Sequence, residues 1–376
     1  MTTSQKRKKM RNYFTVFAVL AVLLAGFIIY VCAPGTETLQ LVHVLFRHGE
    51  RSPSSSYTND PYKNHKWPGG WDQLSITGKK QEYALGLELR RRYQNFLQNE
   101  YDPRVFLMES SYADRCLMSA QLLLAGLFPP SGGEIWNENL RWQPIPVHSV
   151  PRNMDNKIAI KRSCPAFQRA LNESYATLAE SNVENRQLYD YLSENTGDEI
   201  RDIRTLETLY NTLEIEQLNG FQLPEWTNSV FPSKMKDLAA SSLALFTKTI
   251  EMKRLHGGVL AKEILTNMEM KALQKLTPNR KMIMYSGHDL TIVTLLRVFG
   301  FPELIKPDFG ATVIIELHKY TAEEDHIVKF FYLENPNGKA TELHLEGCRK
   351  NGCHLTRVKE LLQPVLPENW EQECLT

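Results

Sequence analysis

The stretch LQLVHVLFRHGERSP, residues 39–53, decides how the rest of this sequence is interpreted. Residues 39–46 are nearly all apolar, which is typical of a parallel strand that is buried on both faces. The strand runs into Arg47 and His48, and the glycine that follows allows the backbone to turn closely. The sequence therefore predicts a buried strand whose carboxyl end carries an arginine and a histidine.

Two later segments repeat the order of a short apolar strand, a polar turn and a helical pattern. Residues 105–109 lead to Arg115, and residues 282–286 lead to His288 and Asp289. Strands that alternate with helices at this spacing predict an α/β fold with right-handed crossovers. Ligands bind at the carboxyl ends of the strands in such folds. We therefore expect these side chains to meet at one edge of a mostly parallel sheet flanked by helices.

The remaining segments predict two additions to this core. The stretch 149–255 is polar and rich in Glu, Leu and Asn, with helical periodicity and no strong strand pattern. It predicts a helical cap inserted between two parts of the α/β core, about 38–148 and 256–376. Alternating residues at 312–317 and 327–333 predict a late pair of strands, a hairpin at the sheet edge.

Charge is concentrated at the N-terminus. The formal net charge is +1, but five cations precede residue 12, so the rest of the chain carries −4. These five are Lys6, Arg7, Lys8, Lys9 and Arg11. The net charge of the chain beyond residue 12 gives no indication of nucleic acid as a partner.

An uncharged run at residues 14–32 follows the cations directly. Its length is closer to that of a membrane anchor than to the apolar part of a signal peptide, and a proline after Ala33 makes cleavage there awkward. We favour a cytosolic tail at 1–12 and an uncleaved single-pass anchor at 13–33. The positive-inside rule then sends the catalytic part to the lumen or exterior, a type II topology in the secretory pathway. The alternative is a cleaved signal peptide and a lysosomal or secreted protein.

The cysteines are candidates for disulfide bonds if most of the chain enters an oxidising compartment. Cys348 and Cys353 lie in a turn-rich stretch that suits a local disulfide; zinc is the weaker alternative, because no second Cys or His pair completes a tetrahedral site. Cys164 and Cys374 could close a long loop. A sequon at Asn172 is a weak indication of glycosylation.

Arg47, His48 and Arg51 lie within five residues. Two guanidiniums beside an imidazole form a poor metal site, because their charge repels a cation. They suit a phosphate, which arginine binds through paired, charge-assisted hydrogen bonds. An imidazole held against phosphorus can act as a nucleophile. A solvated basic turn with a satisfied histidine is the alternative.

The other two strand ends add complementary groups. Arg115 at a helix start can supply a third guanidinium, and helix N-termini favour anions. His288 can donate to a phosphate oxygen, and Asp289 can protonate a leaving alkoxide and later deprotonate water. Taken singly, Arg115 could be a surface residue paired with Asp114, and Asp289 a helix cap. Together these groups supply the charge that phosphoryl transfer needs, and the sequence predicts no metal or cofactor.

The motifs RHGERSP (47–53), DRCLMSA (114–120) and MYSGHD (284–289) resemble the signatures of the histidine acid phosphatases. This family is the branch of the histidine phosphatase superfamily that includes prostatic and lysosomal acid phosphatases. The resemblance extends from about residue 40 to the C-terminus and implies one phosphatase domain at 38–376. It also implies a phosphoglycerate mutase-like α/β core with a helical cap.

The resemblance implies a role for each motif residue. His48 would become the phosphohistidine and Asp289 would be the proton donor. The residues that would hold the phosphate are Arg47, Arg51, Arg115 and His288. An acidic pH optimum, no metal cofactor and frequent homodimers are implied as well.

The resemblance also concerns the cysteines. It implies disulfides between Cys164 and Cys374 and between Cys348 and Cys353. Cys116 stands where the family commonly has threonine, next to the second-motif arginine. We therefore expect a thiol-sensitive site.

The leading hypothesis is a broad acid phosphatase that acts on small phosphate monoesters. A phytase or inositol-polyphosphate phosphatase, or a lysophosphatidate phosphatase, is the alternative within the superfamily. The mildly acidic charge beyond residue 12 disfavours a polyphosphate substrate. From another class, the chain could be a catalytically inactive, membrane-tethered binding ectodomain. The competent residues at all six site positions disfavour that hypothesis.

Overall fold

A computed structural model describes residues 37–181, 185–320 and 325–375. The predicted cytosolic tail at 1–12 and the predicted anchor at 13–33 lie outside these residues. Within the described ranges, no helix has the length and apolar character needed to cross a membrane.

The described strands form one seven-stranded sheet. Its order is β2-β3-β1-β4-β5-β6, and β7 pairs with β5. The strands are β1 (Glu37–Arg47), β2 (Phe106–Ser110), β3 (Met282–Gly287), β4 (Thr312–Tyr320), β5 (Asp325–Leu333), β6 (Thr341–Leu343) and β7 (Cys353–His354).

The sheet is mixed rather than mostly parallel. Strands β1, β2 and β3 are parallel, as predicted, with β3 between the other two. The predicted hairpin of β4 and β5 joins the opposite side of β1, where its pairings are antiparallel. A short connection between strands permits only antiparallel pairing, because parallel strands need a long crossover. The predicted α/β class is confirmed, with this correction to the sheet.

The apolar run of β1 contributes to two cores, one on each face of the sheet. Leu41 and Leu45 belong to one hydrophobic cluster. Val42, Val44 and Phe46 belong to the other. Burial on both faces explains why the strand lacks the polar alternation of a half-exposed strand.

Helices cover both faces of the sheet. The described α-helices are α1 (Ile76–Arg92), α2 (Asp114–Leu127), α3 (Pro165–Ser181), α4 (Arg186–Thr196), α5 (Ile203–Leu218), α6 (Ser233–Leu245), α7 (Ile250–His256), α8 (Gly258–Ala272), α9 (Asp289–Phe299), α10 (Leu355–Leu362) and α11 (Trp370–Glu373). Helices α1 and α2 cross closely, since a Cβ added to Gly86 would lie 2.1 Å from the carbonyl oxygen of Leu123.

The described part of 149–255 contains helices and no strand, in keeping with the predicted cap. One of its hydrophobic clusters includes Leu192, Leu206 and Met235, and Tyr57 from the loop after β1 packs into it. That loop therefore joins the strand that carries the site to the helical region. The domain boundaries themselves stay a prediction.

Two disulfides close the fold at the pairs that the resemblance implied. Cys164, just before α3, is bonded to Cys374 near the C-terminus. Cys348 is bonded to Cys353. The side chain of Asn172 is exposed on α3, where a glycan has room, and its glycosylation stays a prediction.

Candidate active site

The structure brings all six predicted site residues to one edge of the sheet. Arg47 ends β1 and His48 follows it directly, and the backbone N–H of His48 donates to the carbonyl of Gly287 at 3.0 Å. This bond joins the end of β1 to the end of β3. The rings of His48 and His288 lie edge to face with centroids 5.6 Å apart. Parallel pairing of β1, β2 and β3 is what places the three motifs side by side.

Two fixed neighbours set the tautomer of His48. Nδ1 lies 2.9 Å from the carbonyl oxygen of Gly49, which can only accept, so Nδ1 carries the proton. Nε2 accepts from the Nε–H of Arg115 at 3.0 Å. The lone pair of Nε2 therefore points toward the guanidinium, where a bound anion would lie.

His48 is held as a neutral base. Burial lowers its pKa well below the usual 6.5, and the charges of Arg115 and Arg47 lower it further. Both causes act in the same direction, because they penalise a second cation in a buried, positive site. The imidazole therefore keeps its lone pair under acidic conditions.

Asp289 lies between two cations. Its Oδ2 is 3.1 Å from Nη2 of Arg47 and 3.0 Å from Nζ of Lys306. Arg47 is buried, stacks over the ring of Phe309 at 3.9 Å and donates to the carbonyl of Pro307. Burial would raise the pKa of Asp289, but Lys306 and then Arg47 outweigh it and hold the pKa well below 3.8.

Arg51 and Arg115 face a carboxylate that was not predicted. Nη1 of Arg115 donates to Oδ2 of Asp72 at 2.6 Å, and Nε of Arg51 lies 3.4 Å from Oδ1. Burial lowers the pKa of Arg51 to about 10, which still leaves it charged at neutral and acidic pH. The two guanidiniums thus share one anionic partner.

His288 is neutral and hydrogen bonded on both ring nitrogens. Arg115 donates to Nδ1 at 3.5 Å, so Nε2 carries the proton and donates to Oγ of Ser111 at 2.9 Å. Burial and then the charge of Arg115 lower the pKa of His288 to about 3. A phosphate oxygen would have to replace Ser111 as the acceptor from this histidine.

Cys116 contradicts the expectation of a thiol-sensitive site. Its thiol is fully buried, with Sγ 3.5 Å from the carbonyl oxygen of Gly287. Burial raises its pKa to about 12. Reactivity needs an accessible thiolate, and this environment supplies neither access nor ionisation.

Sequence reasoning missed Asp72, Lys306 and Ser111. Lys306 and Asp72 lie in loops without periodicity, so no pattern marks them. Ser111 follows β2 directly, and its position at a strand end was the one signal that could have found it.

The arrangement can bind and transfer a phosphoryl group. It offers a neutral imidazole, three guanidiniums and a carboxylate beside the reacting centre. Within residues 37–181, 185–320 and 325–375, no cluster of three or more His, Cys, Asp or Glu side chains could hold a metal ion. The independence from metal stays a prediction.

A protein-family model matches most of the chain. The model for the histidine phosphatase superfamily (branch 2) matches residues 38–333. This range includes all six site residues.

Curated relatives match almost the whole chain. Prostatic acid phosphatase of Rattus norvegicus is 38% identical over 352 residues, which are 91% of each chain. Lysosomal acid phosphatase of Homo sapiens is 35% identical over 365 residues, which are 95% of this chain and 85% of that protein.

Solved structures share the fold at low identity. Hafnia alvei phytase in complex with tartrate superposes with a TM-score of 0.69 at 16% identity, covering 91% of this chain and 99% of that chain. Klebsiella phytase gives a TM-score of 0.62, also at 16% identity.

Proposed function

The chain belongs to branch 2 of the histidine phosphatase superfamily and is a phosphoric monoester hydrolase of the acid phosphatase type, and we propose that it works through a phosphohistidine on His48. One observation carries the proposal. Nε2 of His48 is an unprotonated nitrogen that faces the guanidinium of Arg115 at 3.0 Å. A nucleophile and an anion-binding group thus meet at one point.

The first half of the reaction forms the covalent intermediate. Arg51 and Arg115 bind the non-bridging oxygens of the substrate, and Nε2 of His48 attacks phosphorus. The bond to the leaving oxygen breaks as the new P–N bond forms. Asp289 gives its proton to the departing oxygen, which leaves as an alcohol.

The second half releases phosphate. Water attacks the phosphohistidine and gives a proton to the carboxylate of Asp289, the P–N bond breaks, and the electron pair returns to Nε2. Inorganic phosphate leaves with the new oxygen. The site then has its original protonation, with the Asp289 proton replaced from water.

Asp289 must carry a proton in the first half of the reaction, when it protonates the leaving oxygen. Lys306 and Arg47 favour its ionised form. A bound phosphate supplies negative charge next to the carboxylate and competes for Arg47. Both effects favour the protonated acid. An acidic medium favours it further, while the lowered pKa of His48 keeps the nucleophile free of a proton. Both pKa values are lowered, so an acidic medium can protonate Asp289 while His48 stays neutral, which supports an acidic working range.

The test is replacement of the nucleophile. His48→Ala should lose nearly all turnover of nitrophenyl phosphate at about pH 5, because the variant lacks the nitrogen that accepts the phosphoryl group. Wild-type enzyme quenched during turnover of labelled substrate should carry acid-labile phosphate, and His48→Ala should carry none. His344→Ala removes an exposed histidine and is the matched control. Full activity in His48→Ala would refute the mechanism.

We place the phosphatase part in the secretory pathway. The named lysosomal relative and the disulfides of this chain support that compartment. The finer proposal is a type II anchor at 13–33, supported by five cations before an uncharged run. A mature N-terminus beyond residue 33 would refute the anchor. A homodimer is a proposal that rests on the family resemblance.

The alternatives receive less support. The likeness to phytases is one of fold at 16% identity and does not favour inositol polyphosphate as the substrate. A lysophosphatidate substrate has no specific observation in its favour. An inactive binding ectodomain is disfavoured by the convergence of six competent side chains.

A further inference from the structure

Asp72 lies within the phosphate-binding part of the site. Its Oδ2 accepts a hydrogen bond from Nη1 of Arg115 at 2.6 Å, and its Oδ1 is 3.4 Å from Nε of Arg51. The side chain is 39% exposed, so it reaches the guanidiniums from the open side of the site. One carboxylate therefore bridges two of the cations that the mechanism assigns to phosphate.

The other site cations have a different partner. Arg47 and Lys306 both contact Asp289, at 3.1 and 3.0 Å. Arg51 and Arg115 are thus the guanidiniums that a phosphate can take without disturbing Asp289. Carboxylate and phosphate bind the arginine fork in the same way, through oxygens at hydrogen-bond distance. Asp72 and a phosphate therefore compete for the same donors.

The backbone around Asp72 is built to hold the carboxylate there. Asp72 has φ +64°, a left-handed conformation that few residues other than glycine adopt. Its N–H donates to the carbonyl of Pro53, and Ser54 donates to its Oδ1 at 3.0 Å. Gly69 and Gly70 also have positive φ. Uncommon backbone conformations of this kind cluster at ligand clamps and switch regions.

We propose that Asp72 is an internal anion that occupies Arg51 and Arg115 and is displaced when a phosphate group binds. Asp72 then sets the affinity of the site for phosphate esters and for the inorganic phosphate product. The inference rests on the proposed function, because it takes Arg51 and Arg115 as phosphate ligands. It adds a residue that controls how tightly the site holds its product.

A positioning role makes the opposite prediction. If Asp72 stayed in place and only oriented the two guanidiniums, its loss would leave them poorly aligned and weaken phosphate binding. If Asp72 competes, its loss frees both donors and strengthens phosphate binding. The sign of the change separates the two roles.

The experiment is titration of inorganic phosphate by calorimetry, using Asp72→Asn and Asp72→Gly. Both residues tolerate the left-handed backbone, so both variants should fold. We expect phosphate to bind about 10-fold more tightly in each, the order of one hydrogen bond to a charged group. KM for nitrophenyl phosphate should fall as well. Glu88→Gln removes an equal charge from an exposed pair with Arg91 and should change neither.

The outcomes separate the two proposals. Weaker or unchanged phosphate binding in both Asp72 variants would overturn the inference. Repeating the titration in a His48→Ala background removes the covalent step. If phosphate binds there and the Asp72 variants still bind it more tightly, the inference stands even if His48 is not the nucleophile. If wild-type protein binds no phosphate at all, the inference fails, and the phosphohistidine is judged separately by the kinetics and phosphate trapping of His48→Ala.

Discussion

Replacing Asp289 with asparagine should slow the hydrolysis of alkyl phosphates far more than that of aryl phosphates. An alkoxide is a strong base and needs a proton as it leaves, whereas a nitrophenolate leaves readily without one. General acid catalysis contributes roughly 10²–10⁴-fold, so an alkyl substrate should lose about that factor and an aryl substrate much less. The measurement is kcat/KM for glycerol phosphate and for nitrophenyl phosphate at about pH 5.

The substitution also disturbs the charge balance of the site. Lys306 has a side chain that is only 1% exposed, and Asp289 is its ion-pair partner. Leaving a buried cation without its partner costs about 3–5 kcal/mol, a large part of the 5–15 kcal/mol that typical domains have. The melting temperature of Asp289→Asn must therefore be measured beside its kinetics.

A second variant separates stability from chemistry. Adding Lys306→Met to Asp289→Asn removes one of the two buried cations that lose their partner, and it should restore part of the melting temperature. It should leave the loss on glycerol phosphate in place. Equal losses on both substrates in the double variant would refute the role of Asp289 as proton donor and assign it to structure.

Three further predictions follow from buried groups. Reducing the Cys164–Cys374 bond, or replacing both residues by serine, should cost about 5 kcal/mol of stability from the entropy of a 210-residue loop, measured by denaturant unfolding. Iodoacetamide should leave native enzyme active and Cys116→Ser should keep most activity; rapid inactivation would contradict the buried thiol. Burial raises the pKa of Glu82 in the folded protein well above 4.5. As the pH rises, the unfolded chain therefore releases this proton at a lower pH than the folded protein does. The free energy of unfolding should fall as the pH rises from about 4.5 toward the folded-state pKa. Glu82→Gln should remove this component of the pH dependence of melting; an unchanged slope would contradict it.

Much of the site was predictable because its residues follow directly after strands. Residues 39–46, 105–109 and 282–286 have the apolar character of buried strands, and the polar residues after each must share an edge if the strands are parallel. Short-range pattern and one topological rule were enough to place His48 and His288 together.

The rest depended on long-range geometry. Lys306 lies in the stretch 301–311, which has no helix or strand, and it reaches Asp289 only through the fold. The antiparallel pairing of β4 with β1 also escaped prediction, because the apolar run of β1 is the same whether β4 joins it parallel or antiparallel. Cys116 was misjudged because sequence position beside an arginine does not reveal burial.

The hydrogen bond from Nδ1 of His48 to the carbonyl of Gly49 has a consequence for electrostatics. Many hydrolases orient a catalytic histidine with a carboxylate, which places a full negative charge behind the ring. In this protein the carbonyl group of the next residue, Gly49, orients the ring instead, and this peptide group carries no net charge. The field around the nucleophile therefore keeps its positive sign, and an anionic substrate approaches His48 without repulsion from the group that holds it.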